Sequence, residues 1–138
     1  MLKVVIDTNV FISAFYLPES RPGEVVYLAR RRKILNCTSP QILKEITRIL
    51  QKKLMWDQAR AQNAVSQIAN FSEVALPGES LTVIVDDTDN RLLECAVASQ
   101  AEYIISGDKH LLDLRAYQGT TIITPGVFLD LVKKNEYS

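Results

Sequence analysis

The chain has 138 residues, 47% of them hydrophobic and 23% charged, which is the composition of an ordinary globular protein with one domain over residues 1–138. Sixteen basic residues balance sixteen acidic ones, so the net charge indicates no nucleic-acid partner. No apolar run approaches the roughly 18 residues of a membrane span, and no secretory signal pattern opens the chain. Cys37 and Cys95 lack metal-ligand spacing. We therefore expect a cytoplasmic protein with reduced core thiols and no membrane contact.

The first element is an unbroken apolar run, Val4, Val5 and Ile6, that stops at Asp7. Such a run is typical of a strand covered on both faces, as in a parallel sheet between layers of helices. Ligand sites in these sheets form beyond the carboxyl ends of the strands, so Asp7 is the first candidate site residue. Helical spacing follows directly, with Thr8 or Asn9 as the expected cap.

The rest of the chain alternates between helical and strand patterns. Helices are predicted after a loop at 17–23, from 40 to about 53, from about 57 to 70, from 88 to 100 and from 125 to about 133. Strands are predicted at 34–38, 72–76, 103–106 and 121–124, while 81–85 fits either a strand or an extended approach. This alternation predicts an α/β fold of three layers around a central parallel sheet of four or five strands.

Four carboxylates stand out by position. Asp7 and Asp108 follow predicted strands, and Asp89 lies in the first turn of a helix on its apolar side. Glu45 lies at the boundary of the apolar face of another helix. Each also has an ordinary explanation, because Asp7, Asp89 and Asp108 could cap helices or turns and Glu45 could be a solvated side chain.

Carboxylates that share a confined site raise one another's pKa, and a divalent cation relieves that repulsion. Oxygen ligands without a Cys or His group favour Mg²⁺ or Mn²⁺ over Zn²⁺. Hard cations held by a few carboxylates suit the hydrolysis of phosphodiester bonds.

Several segments in order resemble the PIN-domain family, in particular its VapC-like subgroup of toxins from toxin–antitoxin systems. The matching residues are 5–10, 40–46, 86–96, 103–112 and 123–129, which span nearly the whole chain. The resemblance implies a Rossmann-like α/β/α sandwich and an Mg²⁺- or Mn²⁺-dependent ribonuclease. It also implies that the catalytic, metal-binding acids are Asp7, Glu45, Asp89 and Asp108.

The same resemblance gives Thr8, Asn9 and Ser106 as polar residues that contact substrate at the site. Lys44 and Arg48 form a basic stripe with Lys52 beside Glu45, which could hold RNA phosphates or be a solvated helix face. The implied partners are RNA, an antitoxin protein and a second copy of the chain, the last also because Trp56 looks exposed at a helix corner. Two alternatives remain open here: a PIN fold that binds RNA or protein without cleaving, and a receiver-like phospho-acceptor domain.

Overall fold

Six strands form one sheet in the computed structural model, which describes residues 1–136. In chain order they are β1 (Lys3–Ile6), β2 (Leu35–Thr38), β3 (Ser72–Val74), β4 (Tyr103–Ile105), β5 (Ala116–Tyr117) and β6 (Thr120–Ile123). Side by side the strands lie in the order β3-β2-β1-β4-β6-β5, and only the β5–β6 pair is antiparallel. Five strands are therefore parallel, as predicted, and the two-residue β5 is an addition that no sequence pattern indicated.

The helices of the described region alternate with these strands. They are α1 (Thr8–Tyr16), α2 (Arg21–Arg30), α3 (Pro40–Lys53), α4 (Gln58–Phe71), α5 (Asp87–Ser99), α6 (Lys109–Leu114) and α7 (Pro125–Glu136). In β1 the consecutive residues Val4, Val5 and Ile6 are all at most 1% exposed. Because consecutive strand residues point to opposite faces, both faces of the sheet are covered. The predicted three-layer α/β sandwich is confirmed.

Two segments differ from the sequence interpretation. Helix α2 already begins at Arg21, because the Ser20 hydroxyl accepts the Gly23 amide at 3.2 Å, and Gly23 is small enough to lie against the Pro18 carbonyl. The segment 81–85 forms no strand. Instead, the Asn90 side chain accepts the amides of Val83 and Ile84 at 3.0 and 2.9 Å and holds the segment against α5.

The hydrophobic core lies between the sheet and its helices, and it includes both cysteines as free, buried thiols. That is the state expected from the sequence. Within residues 1–136, no helix combines the length and apolarity needed to cross a membrane.

Candidate active site

The candidate site lies where β1 and β4 end. These strands are parallel neighbours with Ile6 opposite Ile105, and the Asp7 amide donates to the Ile105 carbonyl at 3.0 Å. Asp7 and the residues after β4 therefore leave the sheet at the same carboxyl edge, as the sequence predicted.

Ser106, the residue after β4, joins two of the acids. Its hydroxyl donates a 2.7 Å hydrogen bond to Oδ2 of Asp7 and accepts the Asp108 amide at 3.0 Å. The side chain is fully buried, at 0% exposure. The expectation that Ser106 contacts substrate is therefore corrected: it lies beneath the carboxylates and positions them.

Two of the acids also cap helices. Asp7 is the N-cap of α1, with Oδ1 accepting the Asn9 amide at 3.3 Å, and Asp108 is the N-cap of α6, accepting the His110 amide at 2.7 Å. The cap of α1 is thus Asp7 rather than Thr8 or Asn9. Capping and a site role are compatible, since a carboxylate has lone pairs beyond the one that a cap uses.

Asp89 is the acid whose position a capping role does not explain. Asp86 caps α5, accepting the Thr88 amide at 2.9 Å and the Thr88 hydroxyl at 2.6 Å. Asp89 is only 4% exposed, and within the described region its Oδ2 is the one buried carboxylate oxygen without a hydrogen-bond partner. A buried, unpaired carboxylate oxygen is costly, and this one is free to accept a hydrogen bond from water or to bind a cation.

The electrostatics of the site agree with that interpretation. Burial, followed by repulsion from Asp108, Asp86 and Asp7 and by a hydrogen bond with Asp108 that the protonated carboxyl can form, raises the pKa of Asp89 to about 7. Burial also raises the pKa of Asp7, although the Ser106 and Asn9 hydrogen bonds oppose the shift. By contrast, the hydrogen bonds from Thr88 lower the pKa of Asp86, which keeps one negative charge beside the other acids.

A cavity of about 60 Å³ gathers the predicted acids. Its lining consists of Asp7, Thr8, Asn9, Glu45, Ile49, Asp86, Thr88, Asp89 and Asp108. The structure therefore brings all four predicted acids to one cavity and adds Asp86, which was not among the candidate site residues. Its position between the 81–85 segment and α5 could not be inferred without knowing that Asn90 fixes that segment.

Glu45 lies at the rim of this cavity, with its side chain 20% exposed. Both of its carboxylate oxygens accept from Arg48, one from Nε at 3.0 Å and one from Nη2 at 2.6 Å. The expectation for Arg48 changes accordingly, because its guanidinium is engaged in orienting Glu45. Lys44 remains exposed and lines a neighbouring pocket of about 500 Å³ together with Gln41, Gln51 and Gln62.

Trp56, the residue behind part of the dimer expectation, is not an exposed apolar side chain. It packs edge-on against Phe15, with ring centroids 5.3 Å apart, and the Arg60 guanidinium lies 3.8 Å from its ring centroid. Its interactions are internal, so it provides no support for a dimer.

The residues present fit a hard divalent cation. Within residues 1–136 no three Asp, Glu, His or Cys side chains are close enough to enclose an ion by themselves. Mg²⁺ does not require such a cage, because it keeps several waters and binds through one or two carboxylates. The unpaired Oδ2 of Asp89, with Asp7 and Asp108 beside it, is a donor set of that kind, and the lining contains no sulfur or imidazole ligand.

Comparison with known proteins identifies the family. The family model described as PIN domain matches residues 3–110, so the chain belongs to the PIN domain family. This confirms the resemblance seen in the sequence and excludes the receiver-like alternative. The chain is also 41% identical, over 118 residues, to the uncharacterized protein MJ1680 of Methanocaldococcus jannaschii, and the match covers 83% of this chain and 76% of that protein.

Two solved structures share the fold. One is the crystal structure of VapBC2 from Rickettsia felis bound to a DNA fragment from the promoter of its genes. A chain of that structure matches with a TM-score of 0.63 at 12% identity, and the match covers 88% of this chain and 97% of that chain. PAE2754 from Pyrobaculum aerophilum has a TM-score of 0.61 at 15% identity, with 96% and 90% covered. At these identities the likeness establishes the fold and nothing more.

Proposed function

We propose that the protein is a metal-dependent endoribonuclease that hydrolyses RNA phosphodiester bonds at the acid cavity. The observation that carries the proposal is the buried Oδ2 of Asp89, which has no partner while Asp7, Asp86 and Asp108 repel its charge. A site of this kind stores electrostatic strain that a cation relieves. Membership in the PIN domain family supports nuclease chemistry.

In this proposal one or two of Asp7, Asp89 and Asp108 bind Mg²⁺ or Mn²⁺ directly, and the other acids, with Glu45 at the rim, contact the cation through the waters that it keeps. When bound, the cation neutralises charge that develops on the phosphate and lowers the pKa of water. Ser106 fixes the orientation of Asp7, and Arg48 fixes that of Glu45. At the partly exposed rim, Glu45 takes the role of accepting a proton from the attacking water in this proposal.

RNA approaches from the open side of the cavity. Thr8 and Asn9 line the cavity, and Lys44 lines the adjoining pocket beside Glu45. In this proposal Lys44 contacts a phosphate and the three glutamines of that pocket hydrogen-bond to bases or sugars, since amides both donate and accept.

The biological role that we propose is toxin of a toxin–antitoxin pair, with an antitoxin protein and a second copy of the chain as partners. The VapC-like sequence pattern and the fold shared with the VapBC2 chain support this role. Exposed apolar side chains such as Tyr16 (78%) and Leu17 (47%), at the end of α1, are available for such contacts.

The proposal is tested by incubating the purified protein with single-stranded and hairpin RNA in Mg²⁺, in Mn²⁺ and in chelator. We expect internal cleavage that needs the cation and that is lost in Asp89→Asn, while Asp113→Asn, an exposed acid on α6, cleaves like the parent. RNA binding without cleavage in every metal would instead support the non-catalytic alternative.

A further inference from the structure

A second pocket adjoins the acid cavity on the side away from Lys44. It has a volume of about 500 Å³, and Asn9 and Asp108 border both spaces. We call it the Arg21 pocket, and its lining consists of Asn9, Val10, Ser13, Arg21, Pro22, Gly107, Asp108, Thr124, Pro125 and Gly126. Pockets of this volume are of a size that holds a small ligand or one unit of a polymer.

Arg21 is the only cationic side chain in the lining of this pocket. It is exposed, and within residues 1–136 it forms no ion pair and no side-chain hydrogen bond. Another arginine near the site, Arg48, is paired with both oxygens of Glu45. Arg21 therefore has its donors free to bind an anion.

The position of the guanidinium depends on Gly126. A Cβ at residue 126 would lie 2.5 Å from Nη1 of Arg21, so the guanidinium occupies space that any other residue would fill. Gly126 is the second residue of α7, whose first amides cannot be paired inside the helix. The guanidinium of Arg21 thus lies against the first turn of α7, where the Val127 amide is already capped by the Thr124 hydroxyl at 3.1 Å.

We propose that the Arg21 pocket binds the nucleotide next to the scissile phosphate, with Arg21 holding its phosphate. The proposal rests on the proposed ribonuclease function, and it identifies the pocket that the RNA strand enters as it leaves the acid cavity. An arginine matches a phosphate with two parallel hydrogen bonds, which fixes its position as well as its affinity. Pro22, Pro125 and Val10 supply an apolar surface for the sugar or base.

A basic residue therefore lies on each side of the acid cavity. Lys44 and its pocket adjoin the cavity at Glu45, and Arg21 adjoins it at Asp108. A strand held at both ends presents the intervening phosphate to the acids, which is the positioning that hydrolysis requires. Arg21 is therefore a substrate-positioning residue and not a catalytic one.

The test compares Arg21→Ala with Arg30→Ala, which removes the same charge from an exposed position at the other end of α2. Binding of a labelled single-stranded RNA is followed in chelator by fluorescence anisotropy at several salt concentrations. We expect RNA to bind roughly tenfold more weakly to Arg21→Ala, because a change of that size in Kd corresponds to the loss of a hydrogen bond to a charged group. Its salt slope should fall by about 0.7, the amount for one phosphate contact on a single strand. Arg30→Ala should change neither quantity beyond a small general charge effect.

A double-mutant cycle of Arg21→Ala with Gly126→Ala tests whether the effect of Arg21 depends on its place in the pocket and not only on its charge. The added methyl meets the far end of a flexible side chain, and alanine is a better helix former than glycine, so the fold is retained. Gly126→Ala should weaken RNA binding in the parent but have no effect in the Arg21→Ala background. In Mg²⁺, Arg21→Ala should raise the KM for cleavage more than it lowers kcat.

The outcomes distinguish the two proposals. Parent protein that neither binds nor cleaves RNA would contradict the ribonuclease function and this pocket together. Parent protein that cleaves RNA, with Arg21→Ala and Arg30→Ala equal in affinity and salt slope, would overturn the Arg21 pocket alone. Equal effects of Gly126→Ala in both backgrounds would also overturn it.

Discussion

The hydroxyl of Ser106 donates a 2.7 Å hydrogen bond to Oδ2 of Asp7, although 99 positions separate the two residues in the sequence. The contact exists because β1 and β4 are parallel neighbours whose last residues, Ile6 and Ile105, are in register. The same hydroxyl accepts the Asp108 amide, so one buried side chain sets the spacing of two acids. The geometry of the site is thus built into the centre of the sheet.

Ser106→Ala tests this positioning role. It leaves a buried carboxylate oxygen without its donor, so the free energy of unfolding should fall by about 1 to 3 kcal/mol. Losing a hydrogen bond to the charged form raises the pKa of Asp7 further, so the acidic limb of the cleavage pH profile should move to higher pH. Denaturant unfolding and pH–rate measurements check the two effects.

Ser99→Ala is the matched control for Ser106→Ala. Ser99 is a buried serine whose hydroxyl donates to the Cys95 carbonyl at 2.8 Å inside α5, away from the acids. It should lose less stability than Ser106→Ala, because the Cys95 carbonyl keeps its helical amide partner, and it should not shift the pH profile. If both variants shifted the profile equally, the role of Ser106 would be one of stability alone.

The metal-free protein should lose stability as pH rises toward neutrality. The pKa of Asp89 is about 7 in the folded state and near 3.8 without the fold, so between these values the unfolded state releases a proton that the folded state keeps. Stability from this group is full below about pH 4 and is lost by about pH 7, with an upper bound of about 4 kcal/mol. Thermal melts in chelator should show this decline for the parent and a smaller one for Asp89→Asn. Parallel pH dependence in the two proteins would contradict the assignment.

The basic stripe of α3 should divide into residues with and without contact to RNA. Lys44 lines the pocket beside Glu45, whereas Lys52 lies two turns further along and does not. Lys44→Gln should lower the salt slope of RNA binding by about 0.7, and Lys52→Gln should leave it unchanged. If both variants and the parent had the same salt slope, Lys44 would be a solvated lysine without contact to RNA.

Local patterns in the sequence predicted the surroundings of several candidate site residues. The apolar run before Asp7 predicted a buried strand, and the spacing of Asp89 to Leu92 and Leu93 predicted an inward-facing acid, which the structure places at 4% exposure. The helical wheel placed Glu45 at a boundary, and its side chain is 20% exposed. These predictions depend on periodicity within one element, which the sequence records directly.

Contacts between distant elements could not be predicted in the same way. To predict the hydrogen bond from Ser106 to Asp7, one must know that β1 and β4 are neighbours in the sheet. To predict that Asp86 lines the cavity, one must know that the Asn90 side chain binds residues 83 and 84. The hairpin that adds β5 turns at Gln118 and Gly119, both of which have positive φ. The glycine is an ordinary turn residue, but the two-residue β5 is too short to show an alternating pattern. Tertiary packing imposes these features on residues whose local preferences are neutral.

Asp7→Asn tests most directly whether Asp7 acts as a metal-binding carboxylate. The amide keeps the shape, and its oxygen can still accept the Asn9 amide, but it removes the charge that holds a hard cation. The measurement is the rate of RNA cleavage in Mg²⁺ or Mn²⁺, paired with the thermal midpoint in chelator and with Asp113→Asn as the exposed control. We predict that cleavage falls by orders of magnitude while the midpoint stays level or rises, because the loss of one repelling charge offsets the loss of one acceptor for Ser106 or Asn9. A folded Asp7→Asn protein that cleaves at nearly the parent rate would contradict the metal-binding role, and one that unfolds would show that Asp7 serves chiefly as the cap of α1.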